Sequence, residues 1–365
     1  MSSTSYPENA QDWRGRFIVN LVAGLGRNKL VQLGLWAPPG DMPPGVKSTT
    51  TMQDQVWLRA LALRGGIAHL LRSNKLLAVG ATLGLLARLY RAYRRSAPDL
   101  VHINWLQNAL PLWGTKMPAV VNVLGTDFGL LHLPGMRAAL RSVFRQRQTI
   151  ITPNASWMAP ELQRLFGDVA RIQTVPFGID AAWFDMQRNP VADGVHHWIV
   201  VTRITKNKIG DLFAWGDGHF GPRRVLHLFG PMQETMDLPK WIHYHGSTYP
   251  AELLTNWFPR ITGLITLSRH DEGRPQVMLE AMAAGLPIIA SDLSAHRDFI
   301  EHLKTGWLTA SQQDFAVALA QLEEPVLNTA IGQAARCWAA EEIGTWDDCA
   351  ARYCCLYASL MEPEA

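Results

Sequence analysis

The sequence predicts an α/β protein made of two successive doubly wound units, and three observations carry that reading. Short strand-like apolar runs alternate with helical patterns along the chain, the signature of parallel sheets covered by helices. The alternation lapses once, at residues 177–189, where Gly178 and Pro190 punctuate a stretch without periodicity. Charge divides as well: residues 1–150 hold 18 Lys and Arg against 6 Asp and Glu, and the remainder hold 16 against 25. A basic half joined to an acidic half fits two domains meeting different partners. At 365 residues the chain exceeds one ordinary core and suits two.

In the first unit strands are expected at 30–36, 100–104, 119–124, 149–152 and 171–176, with helices at 12–25, 76–95, 136–146 and 159–166. The run at 30–36 ends in the turn-rich Ala37-Pro-Pro-Gly-Asp-Met-Pro-Pro-Gly45. Only Met1 to Ser5 precede the turn at Tyr6-Pro7, so the strand that normally opens such a unit is expected to be stunted or lost. In the second unit strands are expected at 198–202, 225–229, 242–245, 263–267 and 287–290. Helices are expected there at 210–215, 251–257, 276–284 and 314–322, and a last helix at 346–361 closes the chain. The domains are accordingly expected at 1–180 and 181–340, with 341–365 as a closing segment. Ligands of such sheets sit beyond the carboxyl ends of the strands, so a cleft between the two units is the expected site.

Composition narrows the function. Apolar residues make up 48% and charged residues 18% of the chain, as in globular enzymes rather than fibrous or disordered proteins. The longest strongly apolar uncharged run, residues 76–87, is 12 long, short of the roughly 20 that a membrane-spanning helix needs. Glu8, Asp12 and Pro7 near the start leave no apolar signal core. Cys337, Cys349, Cys354 and Cys355 show neither framework spacing nor a CxxC pair, which implies a reducing, cytoplasmic setting without disulfides or zinc. A lone Gly-Leu-Gly at 24–26 follows a helix rather than a strand, which argues against a dinucleotide motif.

The richest stretch follows the strand at 263–267. It reads Ser268-Arg-His-Asp-Glu-Gly-Arg-Pro275, then a helix from about Gln276 that ends before Gly285. A helix start here aims free N–H groups and a positive dipole end at whatever lies beyond the strand. Glu272 in the loop and Glu280 a turn inside the helix can bind vicinal hydroxyls through charge-assisted hydrogen bonds. On spacing alone they read equally well as ordinary helix acids. A second element, Val200-Val-Thr-Arg203-Ile-Thr-Lys-Asn-Lys208, ends a strand with two cations five apart. Such cations can neutralise a leaving diphosphate, although a solvated basic loop has the same composition.

Glu272-Gly-Arg-Pro-Gln-Val-Met-Leu-Glu280-Ala-Met-Ala-Ala-Gly-Leu-Pro resembles the Glu-x7-Glu signature of retaining glycosyltransferases of family 4 (glycosyl transferases group 1). The likeness continues through His296-Arg297-Asp298 to Thr305-Gly306-Trp307-Leu308. The resemblance implies the GT-B fold: two Rossmann-like doubly wound domains facing a central cleft, with a C-terminal helix crossing back to the first. It also implies residue roles. Arg203 and Lys208 would act on the donor diphosphate, and Glu272 would lie against the donor sugar. Glu280 would hold the ribose, and Gly273, Arg274, Pro275, Gln276 and Val277 would line the donor site. Gly230 and Gly246, ending two strands, would flank the nucleotide. Two departures stand out. Ile209 occupies a usual Gly position, with Gly210 one later, and Lys206 offers a third cation. In the first domain Asn122-Val-Leu-Gly-Thr-Asp127 resembles a His-Gly-x-Asp motif with Leu124 in place of the His, so His102 is a candidate substitute. Gly15, Arg16, His102 and Asp127 are the acceptor-side candidates.

The implied activity is transfer of a sugar from a nucleotide-diphosphate sugar to a glycan or polyprenyl-linked acceptor, hexosyltransferase-like, needing neither cofactor nor metal. Rival readings are a non-catalytic sugar-nucleotide-binding relative and a GT-B sugar-nucleotide epimerase. Between Asp54 and Asp99 stand eight bases and no acid. The region from Arg59 to Arg95 reads either as a surface for anionic lipid at the inner membrane face or as a helix packed on its own sheet with Arg toward water. Nucleic acid is not expected, since aromatics are not interleaved with the bases.

Overall fold

The computed structural model describes residues 1–365 except 10, 11, 13, 68, 69, 71–73, 126, 190–193, 271, 272 and 363–365, and the side chain of Lys75. The described residues form two units, Met1–Phe177 with Trp346–Ala365, and Gly178–Thr345.

The first unit holds strands β1 (Leu33–Leu35), β2 (Val46–Ser48), β3 (Val101–Asn104), β4 (Ala119–Val123), β5 (Thr149–Pro153) and β6 (Arg171–Ile172). β1 pairs with β2, and β3-β4-β5-β6 form a parallel sheet. Residues 1–3 join the two pieces. Ser2 bridges Trp36 and Ile103 in parallel, its N–H donating to the His102 carbonyl at 2.8 Å while Ser3 N–H donates to Trp36 at 2.9 Å. The opening strand is therefore short, yet it occupies its place at the centre of the sheet. β4 and β5 are buried at every position, as expected of parallel strands covered on both faces.

The second unit holds β7 (His196–Val201), β8 (Arg224–Phe229), β9 (Ile242–Tyr244), β10 (Gly263–Thr266), β11 (Ile288–Ser291) and β12 (Trp307–Thr309). They run in the parallel order β12-β11-β10-β7-β8-β9. Counted from the start of each unit, with residues 1–3 first in the first unit, both sheets read third, second, first, fourth, fifth, sixth, and β6 adds a seventh strand in the first unit. This is the doubly wound Rossmann order, and the direction of winding switches between first and fourth strands. In the second unit that point lies between β7 and β10.

The first helix spans Arg16–Arg27 rather than beginning near Asp12. The Asp12 carboxylate accepts from the backbone N–H of Arg14 at 3.0 Å and pairs with its guanidinium, holding a turn. Gly15, at φ +67°, then starts the helix. Ile18, Leu21, Val22 and Leu25 form its buried stripe, each contributing roughly 1.5–3 kcal/mol of transfer free energy. The helix Trp346–Met361 packs on it so closely that a Cβ at Gly24 would stand 2.8 Å from the Trp346 carbonyl oxygen. Tyr353, Leu356, Tyr357 and Leu360 of this last helix belong to the same core.

Elements not anticipated include β2, β12, the helices Met52–Leu63 and Pro325–Trp338, and the shorter helices Leu106–Leu112, Ala181–Asp185 and Ser294–Arg297. Among the described residues no helix is long and apolar enough to cross a membrane.

Candidate functional site

At the winding switch of the second unit, two loops are tied together by glycine and backbone contacts. After β7 the chain passes Thr202, Arg203 and Ile204. Thr205 then caps the single turn Lys206–Ile209 by accepting from Lys208 N–H. Gly210 follows at φ +56°, where a Cβ would lie 1.8 Å from the Leu267 carbonyl oxygen. Only glycine permits this approach, so Gly210 does the packing although Ile209 holds the position before it. The partner loop after β10 completes the tie. Arg269 N–H donates to Asn207 O at 2.8 Å, Asp211 N–H donates to Leu267 O at 3.2 Å, and Arg269 pairs with Asp211 at 3.0 Å.

This geometry separates the lysines. Lys206 is exposed, whereas Lys208 is 8% exposed. Burial, reinforced by the charge of Arg203, brings the Lys208 pKa down to about 7. His296 is buried near Lys208. Its Nδ1 lies 2.7 Å from the Ser291 carbonyl, and burial together with the Lys208 charge pushes its pKa down. Ser291 Oγ in turn donates to the Ser268 carbonyl at 2.6 Å, linking the ends of β10 and β11. Positive charge is thus concentrated just beyond β7, at the place where doubly wound sheets bind anions.

The loop from β10 leads into the helix Gln276–Ala283, with Pro275 at the N-cap position and Gly285 at φ +70° after the end. Gly273 is buried and Glu280 half-buried one turn inside the helix. Glu272 lies outside the described residues. Arg274 departs from expectation: its side chain points inward to a carboxylate oxygen of Asp298, both side chains 5% exposed, and its guanidinium lies 5.9 Å from the Phe299 ring. What Arg274 can offer a ligand is therefore its backbone. Gln276 Nε2 donates to the Gly178 carbonyl at 2.9 Å, and Val277 packs on the domain core.

Gly230 and Gly246 bind each other, Gly230 N–H donating to Gly246 O at 2.7 Å. A Cβ at Gly230 would stand 1.7 Å from the Thr202 carbonyl, so this glycine lets the end of β8 close on the end of β7. Gly246 has open space around it and is needed for its φ of +77°.

The first unit treats its candidates differently. His102 is 2% exposed, its Nδ1 bonded to Tyr357 Oη and its ring 4.7 Å from Tyr353. It anchors the last helix and is enclosed within the core of the first unit. Asp127, also buried, accepts from Leu106 N–H at 3.0 Å and Leu124 N–H at 2.8 Å, tying the loops after β3 and β4. Burial pushes its pKa up against those hydrogen bonds. Gly15 is forced by contact, a Cβ there standing 2.8 Å from Ser5 backbone. Arg16 begins the first helix, half-buried.

A row of histidines with no predicted role crosses β7, β8 and the end of β9. His197 Nδ1 lies 3.0 Å from His227 Nε2, and His227 Nδ1 lies 3.0 Å from His245 Nε2, with Trp257 against the last two. Histidines at corresponding points of three predicted strands were the signal available. Burial, with His245, His197 and His243 adding like charge, brings His227 down to about 4. Among the described residues no group of three or more His, Cys, Asp or Glu is placed to hold a metal ion.

Residues 200–324 match the family model described as "Glycosyl transferases group 1". No curated protein sequence matches the chain. Among solved structures, the chain is similar to a sucrose-phosphate synthase from Thermosynechococcus elongatus at TM-score 0.68 and 15% identity, over 94% of this chain and 92% of that one. It is similar to Anabaena HepE in complex with UDP at TM-score 0.65 and 13% identity, over 95% and 96%. A trehalose-6-phosphate synthase studied for glycosyl transfer with retention matches at TM-score 0.61 and 12% identity, over 79% of each chain. The chain thus has a GT-B-type fold, two Rossmann-like α/β domains with a C-terminal helix, and a glycosyltransferase-like second domain.

Proposed function

We propose that this protein is a glycosyltransferase that moves a sugar from a nucleoside-diphosphate sugar to a glycan or lipid-linked acceptor, with retention and without a metal. The observation that carries the reading is the buried Lys208 beside Arg203 at the winding switch of the second unit, inside the segment matched to the glycosyl transferase family. Two cations and the start of the helix Gln276–Ala283 suit a diphosphate, whose charge they would neutralise as the bond to the sugar breaks. Glu280, on the first turns of that helix, would hold the ribose hydroxyls, and Glu272 would lie against the sugar. The backbone of Gly273, Arg274 and Pro275 would line the space between. Attack would come from the face the leaving phosphate occupies, with that phosphate accepting the acceptor's proton. Retention is also what is described for the trehalose-6-phosphate synthase of similar fold.

Titration with ADP, GDP and UDP, followed by incubation with the corresponding glucose conjugates, tests the reading. Binding of one nucleotide and slow hydrolysis or transfer of its sugar, both weakened by Lys208→Ala, is expected. Wild-type turnover in that variant would remove Lys208 from the chemistry. A second reading, a donor-binding relative without transfer, is favoured by Leu124 and by the enclosure of His102. It predicts nucleotide binding with neither transfer nor hydrolysis.

A further inference from the structure

We propose that the helices Met52–Leu63 and Lys75–Ser96 form a platform that docks on an anionic phospholipid surface. Helix Lys75–Ser96 buries Ala78, Leu85, Leu89, Ala92 and Tyr93. These lie along one side, as in any helix packed on a sheet. Its opposite side is not polar. Leu76 is 86% exposed, Leu83 63%, Val79 56% and Tyr90 47%, at spacings of three, four and seven residues that align them in one stripe. Helix Met52–Leu63 repeats the pattern, with Leu58 and Leu61 buried beneath and Met52, Val56 and Leu63 exposed above.

The two solvent faces adjoin. The Trp57 ring meets Gly84, Arg88 reaches Asp54 at 2.7 Å, and Ala60, Arg64, Leu76 and Leu77 line one shallow groove between the helices. A second, apolar groove of about 590 Å³ opens further along the stripe, between Leu86, Ala87 and Tyr90 and the segment Leu110 and Pro111. Isolated exposed leucines need no explanation, but a stripe continued across two helices does.

Charge identifies the occupant. From Asp54 to Asp99 the sequence contains eight bases and no intervening acid. Asp54 itself is buried and bonded to Arg88 and the Trp36 indole. Arg59 shares an exposed ion pair with Glu8, while Arg64 and Arg91 are exposed at the edges of the apolar stripe. Arg94 donates to the backbone carbonyl of Trp113, which fixes its charge in place without cancelling it, whereas Arg95 donates to Thr49 and also lies 4.0 Å from the Asp54 carboxylate. Apolar side chains facing out, bordered by cations, match the acyl and headgroup layers of an anionic membrane. A helix so charged lies in the plane of the interface rather than across it. A second copy of this chain would set like charge against like charge, whereas an anionic bilayer matches both the apolar stripe and its net positive border.

The platform belongs to the first unit and is independent of the chemistry assigned to the second. Sedimentation of the full chain with vesicles of phosphatidylcholine, alone or mixed with phosphatidylglycerol, tests it. Binding to the mixed vesicles only is expected. Leu76→Ser with Leu83→Ser should weaken it roughly tenfold or more. Arg64→Gln and Arg91→Gln should each weaken it about fivefold, and salt should do the same. Melting temperature and nucleotide affinity of these variants should match wild type, which separates lost docking from lost folding or lost donor binding. Failure of the wild type to sediment with either vesicle, or equal binding to both unaffected by the arginine changes, overturns the proposal. So does a dimer, seen by light scattering, that Leu76→Ser with Leu83→Ser dissociates without any vesicle binding.

Discussion

The two units share one strand order and use the equivalent ends of their sheets in opposite ways. At the switch in the second unit, Gly210 and Gly230 bring loops within contact of neighbouring carbonyls, and Arg203 and Lys208 are gathered there. In the first unit the strand ends are filled by polar groups that bind one another. Asn122 Nδ2 donates to Asn104 Oδ1 at 3.0 Å, Tyr353 Oη donates to Asn122 Oδ1 at 2.9 Å, and His102 and Asp127 hold the last helix and two loops. The same topology can therefore present charge to a ligand or spend its polar groups on its own cohesion. Residue types at strand ends do not tell these apart; burial and partners do.

The largest expected effect falls on a residue expected at the ligand but found inside. Arg274→Ala removes the guanidinium from a buried ion pair with Asp298 and should cost about 3–5 kcal/mol in chemical denaturation. Arg274→Met with Asp298→Leu should recover most of that loss. If Arg274→Ala instead folds normally and loses only donor affinity, the contrast between enclosed and presented side chains weakens.

Next comes Lys208→Ala, expected to lower turnover by roughly 10²–10³-fold through loss of charge stabilisation with little change in melting temperature. Lys206→Ala, which removes an exposed neighbour, should do far less.

A smaller effect should appear on acidification. His227 stays neutral in the folded state to about pH 4, facing His197, His243 and His245, with Glu252 acting on His245. The unfolded chain takes up that proton near pH 6.5. Stability carried by neutral His227 is thus complete above about pH 6.5 and falls as pH drops toward 4, by roughly 1.5 kcal/mol between pH 6.5 and 5. Denaturation of His227→Gln across that interval should show a shallower slope than wild type; an equal slope would assign the acid sensitivity elsewhere.

The smallest is His102→Phe. Leaving Tyr357 Oη without its partner should cost about 1–2 kcal/mol, with nucleotide affinity unchanged. Loss of transfer at unchanged stability would instead return His102 to the acceptor side.

Much of this architecture was legible because parallel strands buried on both faces stand out as apolar runs; β4 and β5 are examples. What escaped had weaker patterns. β2 is a three-residue, mostly exposed edge strand after a proline-rich turn. Helix Pro325–Trp338 buries Asn328, Gly332 and Ala335 beside a single Ile331, too little bulk for periodicity to register. Helix Met52–Leu63 is apolar on its outer side as well as its inner one, which blurs the stripe and is the same property that suggests docking. At the site, the spacing of Arg203 and Lys208 after a strand marked two cations but fitted a solvated loop as well, and their proposed role came from the family resemblance. The inward turn of Arg274 depends on Asp298, twenty-four residues on, and the enclosure of His102 depends on Tyr357 from the last helix. Such long-range pairings leave no local trace.

The central claim is that Lys208 meets an anionic diphosphate, and calorimetric titration with ADP, GDP and UDP at pH 7 and pH 8.5 tests it most directly. A lysine held near a pKa of about 7 must take up a proton as the phosphate binds. For the nucleotide that binds, affinity should fall roughly tenfold across that interval, with heats that depend on the buffer. Lys208→Met should bind more weakly at pH 7 and lose both dependences. Equal affinity of wild type and Lys208→Met at both pH values, or no binding of any of the three nucleotides, would contradict the account.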